Sequence, residues 1–197
     1  MKHEIAAAFG FEGLLLERVS LADRLVDVVV EIDEAECARR EQAGVDGADR
    51  DVLRLMAVLP YREKISLNCL DAFTRALLAA KGQGFVRFDR VHVERIWKPA
   101  LEIRGFLVVS SDWRNALRRV SLFAADAPRA VAYTGATKLT DATRRAGQLG
   151  VGLAQVRREV EVLVQPERHL VVHDEIRWAL LERLFQLMLR RRDIATA

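Results

Sequence analysis

The hydrophobic positions change period several times along the chain. Ser20 followed by Asp23 forms a capping-box-like start. Leu21, Leu25, Val28, Val29, Ile32 and Ala35 then recur at helical spacing, which predicts a helix over roughly 20–42. Taken alone, the run Asp-Val-Val-Val-Glu at 27–31 fits a strand equally well. Residues 44–49 (GVDGAD) read as a loop, and a short helix follows at about 50–59, stopped by Pro60. Ser66 is placed to cap a helix at 67–81, with Leu70, Phe73, Leu77 and Ala80 on one face and Gly82 at its end.

Residues 84–97 (GFVRFDRVHVERIW) switch to period two, with Val86, Phe88, Val91, Val93 and Ile96 set among charged residues. A turn at Lys98–Pro99 leads to a second strand that enters the core at Phe106–Val109. The next helix has Ser111 or Asp112 as its cap and buries Trp113, Ala116, Leu117 and Val120. A short strand at 130–134 follows, then a helix from Thr140 that Gly150 closes. Strands at 151–155 and 160–164 join at Arg157–Arg158, and a long helix at about 174–192 ends the chain. The expected fold is α/β: a mixed central sheet with N-terminal helices and a long C-terminal helix. The expected divisions are a helical region 1–65, an α/β core 66–165 and a C-terminal helix 166–197.

Composition narrows the classes. At 197 residues with 51% hydrophobic and 30% charged residues, the chain can bury a core as one domain, or one domain with an appendage. No apolar run approaches the ~18 residues of a spanning helix, and the first residues make a poor signal peptide, so no membrane partner is expected. Cys37 and Cys69 stand 32 positions apart without a CxxC pair, which argues for reduced thiols and a cytoplasmic location. The net charge of +3 conceals an asymmetry: residues 1–50 carry 6 basic against 12 acidic side chains, and the remainder 25 against 16. Of the 31 basic residues 26 are Arg, and an arginine-rich body points toward a polyanion.

The most specific stretch is 111–164. SDWRNALRRV, the apolar AVAYT, ATRRAGQLGVGLAQV and REVEVLV follow one another, with Gly150 and Gly152 turning a helix tightly into a strand. This order resembles the second half of restriction-endonuclease-like domains of the PD-(D/E)XK superfamily, with the helix at 67–81 and the hairpin after it as the front half. The resemblance implies an Asp at the start of one strand and an acid-x-lysine on the next. Those carboxylates would hold Mg²⁺ and the lysine would activate water.

Counting back from Asp112–Trp113 puts the acid-x-lysine slot on Leu107–Val108–Val109, the upstream Asp slot near Arg95–Ile96–Trp97, and a frequent helix Gln at Arg119. None of these slots carries the expected group, so the active site reads as degenerate and no cofactor is expected. A displaced site is the alternative: Glu102-Ile103-Arg104 with Asp89 or Glu94 as the metal acid, requiring Mg²⁺ and using an arginine that cannot deprotonate.

Other constellations are sparser. His169 and His173, followed by Asp174 and Glu175, have i, i+4 spacing for a metal pair, against a capped helix start as the simpler account. Arg114, Arg118 and Arg119, Arg144 and Arg145, and Arg157 and Arg158 are the candidate duplex-phosphate contacts. Residues 50–98 also trace the outline of a winged helix, with Asn68, Asp71, Thr74 and Arg75 as base-edge candidates. The wide apolar face of the last helix, with Trp178, Phe185 and Met188, suits a homodimer.

The leading expectation is therefore a non-enzymatic protein that binds double-stranded DNA on a pseudo-nuclease fold. The alternatives are an active Mg²⁺-dependent endonuclease, a winged-helix transcriptional regulator, and a protein-interaction factor using residues 23–49 and the last helix.

Overall fold

The computed structural model describes residues 1–123, 127–167 and 175–196, with side chains as far as 191. In chain order the elements are α1 (Lys2–Ala8), β1 (Leu14–Leu21), β2 (Arg24–Ile32), α2 (Glu34–Gln42), α3 (Arg50–Val58) and β3 (Lys64–Ser66). A 3-10 turn, Leu67–Cys69, leads to α4 (Ala72–Lys81), β4 (Val86–Phe88), β5 (His92–Arg95) and β6 (Leu101–Ser110). The rest is α5 (Trp113–Val120), β7 (Arg129–Tyr133), α6 (Thr140–Gln148), β8 (Gly152–Val156), β9 (Val160–Val164) and α7 (Glu175–Thr196). The fold is α/β, with a six-stranded sheet ordered β1-β2-β6-β7-β8-β9 and a three-stranded sheet ordered β3-β5-β4. These divide into two compact units, Met1–Glu31 with Ile103–Val172 and Ile32–Glu102 with His173–Ala197.

In the first unit, β1 and β2 are antiparallel, β6, β7 and β8 run parallel to one another, and β9 returns antiparallel to β8. Parallel strands need crossovers, which α5 and α6 supply. Ile5, Ala6, Phe9 and Phe11 cluster with Leu107, Ala130, Ala132, Ala154 and Val156, so the α1 segment covers one face of the sheet. The intervening residues point the other way: Phe106 stacks on Phe123 at 4.6 Å, and α5 and α6 bury Ala116, Leu117, Val120, Ala142 and Ala146. Gly105 has no room for a side chain, because the Phe11 ring lies 2.5 Å from where a Cβ would stand. Gly150 ends α6 at φ +61°, the left-handed geometry that the helix-to-strand turn needs.

The expected helix over 20–42 is corrected. Residues 14–32 form a β-hairpin, and the helix begins only at Glu34, with Asp33 as the side-chain cap accepting from the Glu36 N–H at 3.0 Å. Ala22 and Asp23 both adopt positive φ, +45° and +58°, in a two-residue turn that sets the hairpin. Val26, Val28, Val29 and Val30 are all buried, so β2 lacks the polar alternation of a half-exposed strand and its spacing imitates a helix. The hairpin beside β6 is thus β1–β2, and β4–β5 pairs instead with β3. The helix expected at 67–81 starts at Ala72; Ser66 caps only the 3-10 turn, and Asp71 caps α4.

In the second unit, α7 packs on α3 and closes the core. Trp97 is fully buried and meets Trp178 edge-on at 5.3 Å. Arg40, only 1% exposed, donates to Glu182 at 2.7 and 3.0 Å and to Glu36 at 3.0 Å, and Glu182 also accepts from the Ala48 N–H at 2.9 Å. Trp178, Leu181, Leu184, Phe185 and Met188 are all buried within this unit, so the apolar stripe expected to form a dimer serves the chain's own core. Among the described residues no helix is long and apolar enough to cross a membrane. Cys37 and Cys69 form no disulfide.

Candidate functional site

The first unit gathers charged residues at a break in β1. Leu16 pairs with Val28 and Val19 with Val26, so Glu17 and Arg18 together oppose the single residue Asp27. This bulge holds Arg18 at φ +50°, a conformation that side-chain-bearing residues rarely adopt, and turns its N–H onto Asp27 Oδ1 at 2.7 Å. Asp27 is 6% exposed. Its carboxylate also accepts from Lys2 Nζ of α1, with an ion-pair separation of 3.0 Å, and Lys2 reaches Glu17 at 2.8 Å as well. Burial by itself would lower the Lys2 pKa, but the hydrogen bonds and charges of Glu17 and Asp27 outweigh it and hold the amine above its ordinary value.

A cavity of about 180 Å³ opens beside this pair. Its walls include Lys2, Arg18, Asp27 and Arg119, and its apolar lining includes Leu107 and Val109. Arg119, from α5, donates to the Leu25 carbonyl. Asp27 and Val29 share one face of β2, and Leu107 shares one face of β6 with Val109; Val29 and Leu107 belong to the cluster under α1. The β6 residues that line the cavity with Asp27 are Leu107, Val108 and Val109, all aliphatic.

The residues of the displaced-site alternative are dispersed. Asp89, in the β4–β5 turn, accepts from the N–H groups of Val91 and His92, which hold it below the ordinary carboxylate range. Glu94 pairs with Arg87 across that hairpin at 3.4 Å. Arg104 pairs with Glu31 of β2, and Asp112 caps α5 through the N–H groups of Arg114 and Asn115. Glu102, at the start of β6, is exposed. In the stretch 95–97, Arg95 donates to the Met56 carbonyl at 2.6 Å; the strands beside β6 are β2, which carries Asp27, and β7. Among the described residues no group of three or more His, Cys, Asp or Glu side chains could hold a metal. His169, His173 and Asp174 lie outside the described residues.

The arginines are distributed over adjoining elements. α5 and α6 lie side by side, and Arg114, Arg118, Arg144 and Arg145 are exposed on them, while Arg119 is half-buried. Arg114 stacks 4.5 Å over the Trp113 ring, Arg144 pairs with Asp141 at 3.0 Å, and Arg145 reaches Gln148 at 3.3 Å. Arg157 and Arg158 are exposed in the β8–β9 turn, at the carboxyl end of the parallel strands.

In the second unit α3, β3, α4 and the β4–β5 hairpin follow in order, with β5 paired between β3 and β4. α4 buries only Leu78, and Phe73 on it is 76% exposed. Two of the four base-edge candidates are engaged locally: Asp71 accepts from the Thr74 N–H at 2.8 Å and from its hydroxyl at 2.7 Å. Asn68 and Arg75 are exposed.

No protein-family model, curated protein or solved structure matches the chain. Sequence reasoning missed Asp27 and Lys2. The available signal was an acid interrupting an otherwise apolar run, Val26-Asp27-Val28, which a helix assignment absorbs as a polar face.

Proposed function

We propose that the protein binds duplex DNA and does not cut it, on a restriction-endonuclease-like core that has lost its chemistry. The observation that carries this reading is the position of Asp27 beside Leu107 and Val109. The resemblance asks for an acid on one strand, an acid-x-lysine on its neighbour, then helix, strand, helix and closing strand. The sequence β2, β6, α5, β7, α6, β8 follows that order, and β2 neighbours β6. In this reading Asp27, inside β2, stands in for the first acid, and aliphatic side chains stand in for the second acid and the lysine.

The Mg²⁺ that the resemblance implies does not fit this set, since the Asp27 carboxylate is already paired with Lys2 and the β6 side chains beside it are aliphatic. Phosphate contact is what such a core retains. Arg114, Arg118, Arg144, Arg145, Arg157 and Arg158 supply exposed guanidinium groups, which bind phosphate oxygens without reading sequence. The reading includes a cytoplasmic setting, and the stoichiometry of the titration below decides between one chain and a homodimer.

Fluorescence anisotropy with a labelled duplex tests it. Binding should weaken steeply with salt, because each neutralised phosphate releases counterion. Arg118→Glu with Arg144→Glu should weaken it further, and supercoiled plasmid with Mg²⁺ or Mn²⁺ should stay intact. Salt-insensitive binding, or none, overturns the proposal. Plasmid cleavage abolished by Asp27→Ala would establish the nuclease alternative.

A second reading is favoured by the arrangement of α3, β3, α4 and the hairpin, which has the outline of a winged helix. In that reading α4 enters the major groove with Asn68 and Arg75. Arg75→Glu should then reduce duplex affinity, and Phe73→Ser should reduce it too. If neither variant changes affinity while the α5–α6 variants do, α4 serves protein contact instead, consistent with its apolar exposed face.

A further inference from the structure

We infer that the cavity between Lys2, Arg18, Asp27 and Arg119 is an oxyanion site for a single phosphate group, in the place where a nuclease of this type would hold metal. This goes beyond the DNA reading and does not require it.

Charge is the first support. Lys2, Arg18 and Arg119 line the cavity against one buried carboxylate, Asp27, and Glu17, bonded to the same lysine, is half exposed. Asp27 is spent on Lys2 and on the Arg18 N–H, so it fixes the lysine and offers little to an incoming metal. The floor is apolar, from Leu25, Val26 and Leu107 to Val109, and a low-polarity floor strengthens charge-assisted hydrogen bonds to an anion.

Backbone geometry is the second support, independent of charge. The bulge opposite Asp27 costs strain at Arg18, and bulges of this kind re-aim side chains beside binding sites. Arg18 is itself one of the residues that line the cavity.

Size is the third. At about 180 Å³ the cavity takes a small tetrahedral oxyanion, whereas sites for larger ligands start at roughly 300 Å³. The ligand is therefore inorganic phosphate or a terminal phosphomonoester, with the attached group outside.

Calorimetric titration of the full chain with inorganic phosphate in EDTA tests the site. Saturable one-to-one binding is expected, together with a phosphate-dependent rise in Tm. Arg18→Gly is the decisive variant: glycine accepts positive φ, so the hairpin should keep its stability while phosphate affinity falls about tenfold or more. Arg119→Gln should weaken binding in the same direction.

A second arm compares 5′-phosphorylated with 5′-hydroxyl duplexes as competitors. Preference for the phosphorylated end assigns the anion to a DNA terminus. Equal competition, with phosphate still bound, assigns it to free phosphate. Either supports the site, and neither depends on Arg118 or Arg144, so loss of duplex binding in their variants leaves it standing. Unsaturable phosphate titration overturns the inference, as does unchanged affinity in a folded Arg18→Gly protein.

Discussion

Lys2 of α1 places its ammonium 3.0 Å from the Asp27 carboxylate of β2, although 25 residues separate them in sequence. The pair ties the first helix to the middle of the hairpin and neutralises the buried acid of the six-stranded sheet. An acid that already holds a lysine and a backbone N–H has little left to give a cation.

Removing the acid should therefore cost stability. Asp27→Ala strands the Arg18 N–H and leaves Lys2 with Glu17, with an expected loss of about 2–3 kcal/mol in urea denaturation. Lys2→Met should cost less, because Asp27 retains the Arg18 N–H and Lys2 is itself partly exposed. A loss for Asp27→Ala within the scatter of ordinary surface substitutions would refute the structural role given to the pair.

The second unit has a stricter charge network. Glu182→Ala leaves Arg40 buried with Glu36 as its remaining carboxylate and removes the acceptor of the Ala48 N–H. The expected loss is about 3–5 kcal/mol, and Arg40→Met combined with Glu182→Leu should recover much of it. A chemical-denaturation series on the two singles and the double measures the coupling.

Stability should be highest on a plateau bounded by acids and amines. Burial pushes the Asp33 carboxyl up, but the Lys98 ammonium and the Glu36 N–H pull harder, so it ends below its ordinary 3.8. The Lys81 ammonium and the Val52 N–H hold Asp49 below 3.8 as well. Folded values below unfolded ones mean that the unfolded chain binds protons first; this stabilisation is complete above about pH 4 and disappears as pH falls through the folded values. Lys98, raised above its ordinary 10.5 by Asp33, contributes in the opposite sense: its share is complete below that value and is lost as pH rises through the folded one. Asp49→Asn keeps a capping oxygen and removes the charge, so it should flatten the acid limb of a Tm-versus-pH curve. An unaltered limb would count against the assignment.

Phe73 offers a separation of folding from function. It is 76% exposed on α4, so Phe73→Ser should change stability by no more than about 0.5 kcal/mol. A markedly larger loss in thermal denaturation would show that the ring is covered in solution.

Much of the architecture was legible from residue order. The β6–α5–β7–α6–β8–β9 succession, the caps at Asp112 and Gly150, and the loop at 44–49 follow from periodicity, capping chemistry and glycine, all of which act within a few residues. The N-terminal hairpin was not legible in this way. Val26 to Val30 are buried on both sides, and a strand without an exposed face shows no alternation to distinguish it from a helix. Its real signal, two positive-φ residues at Ala22 and Asp23, lies in dihedral angles that neither residue type announces.

The site divides along the same line. Sequence alone determined that Leu107–Val109 lacks acid and lysine, because composition at a fixed distance from Asp112 needs no tertiary knowledge. Only the folded sheet decided which strand stands next to it. Non-local pairing set β2, which carries Asp27 and through it holds Lys2, next to β6. Spacing is inherited along a strand, but neighbours across a sheet are chosen by burial and hydrogen bonding over the whole unit.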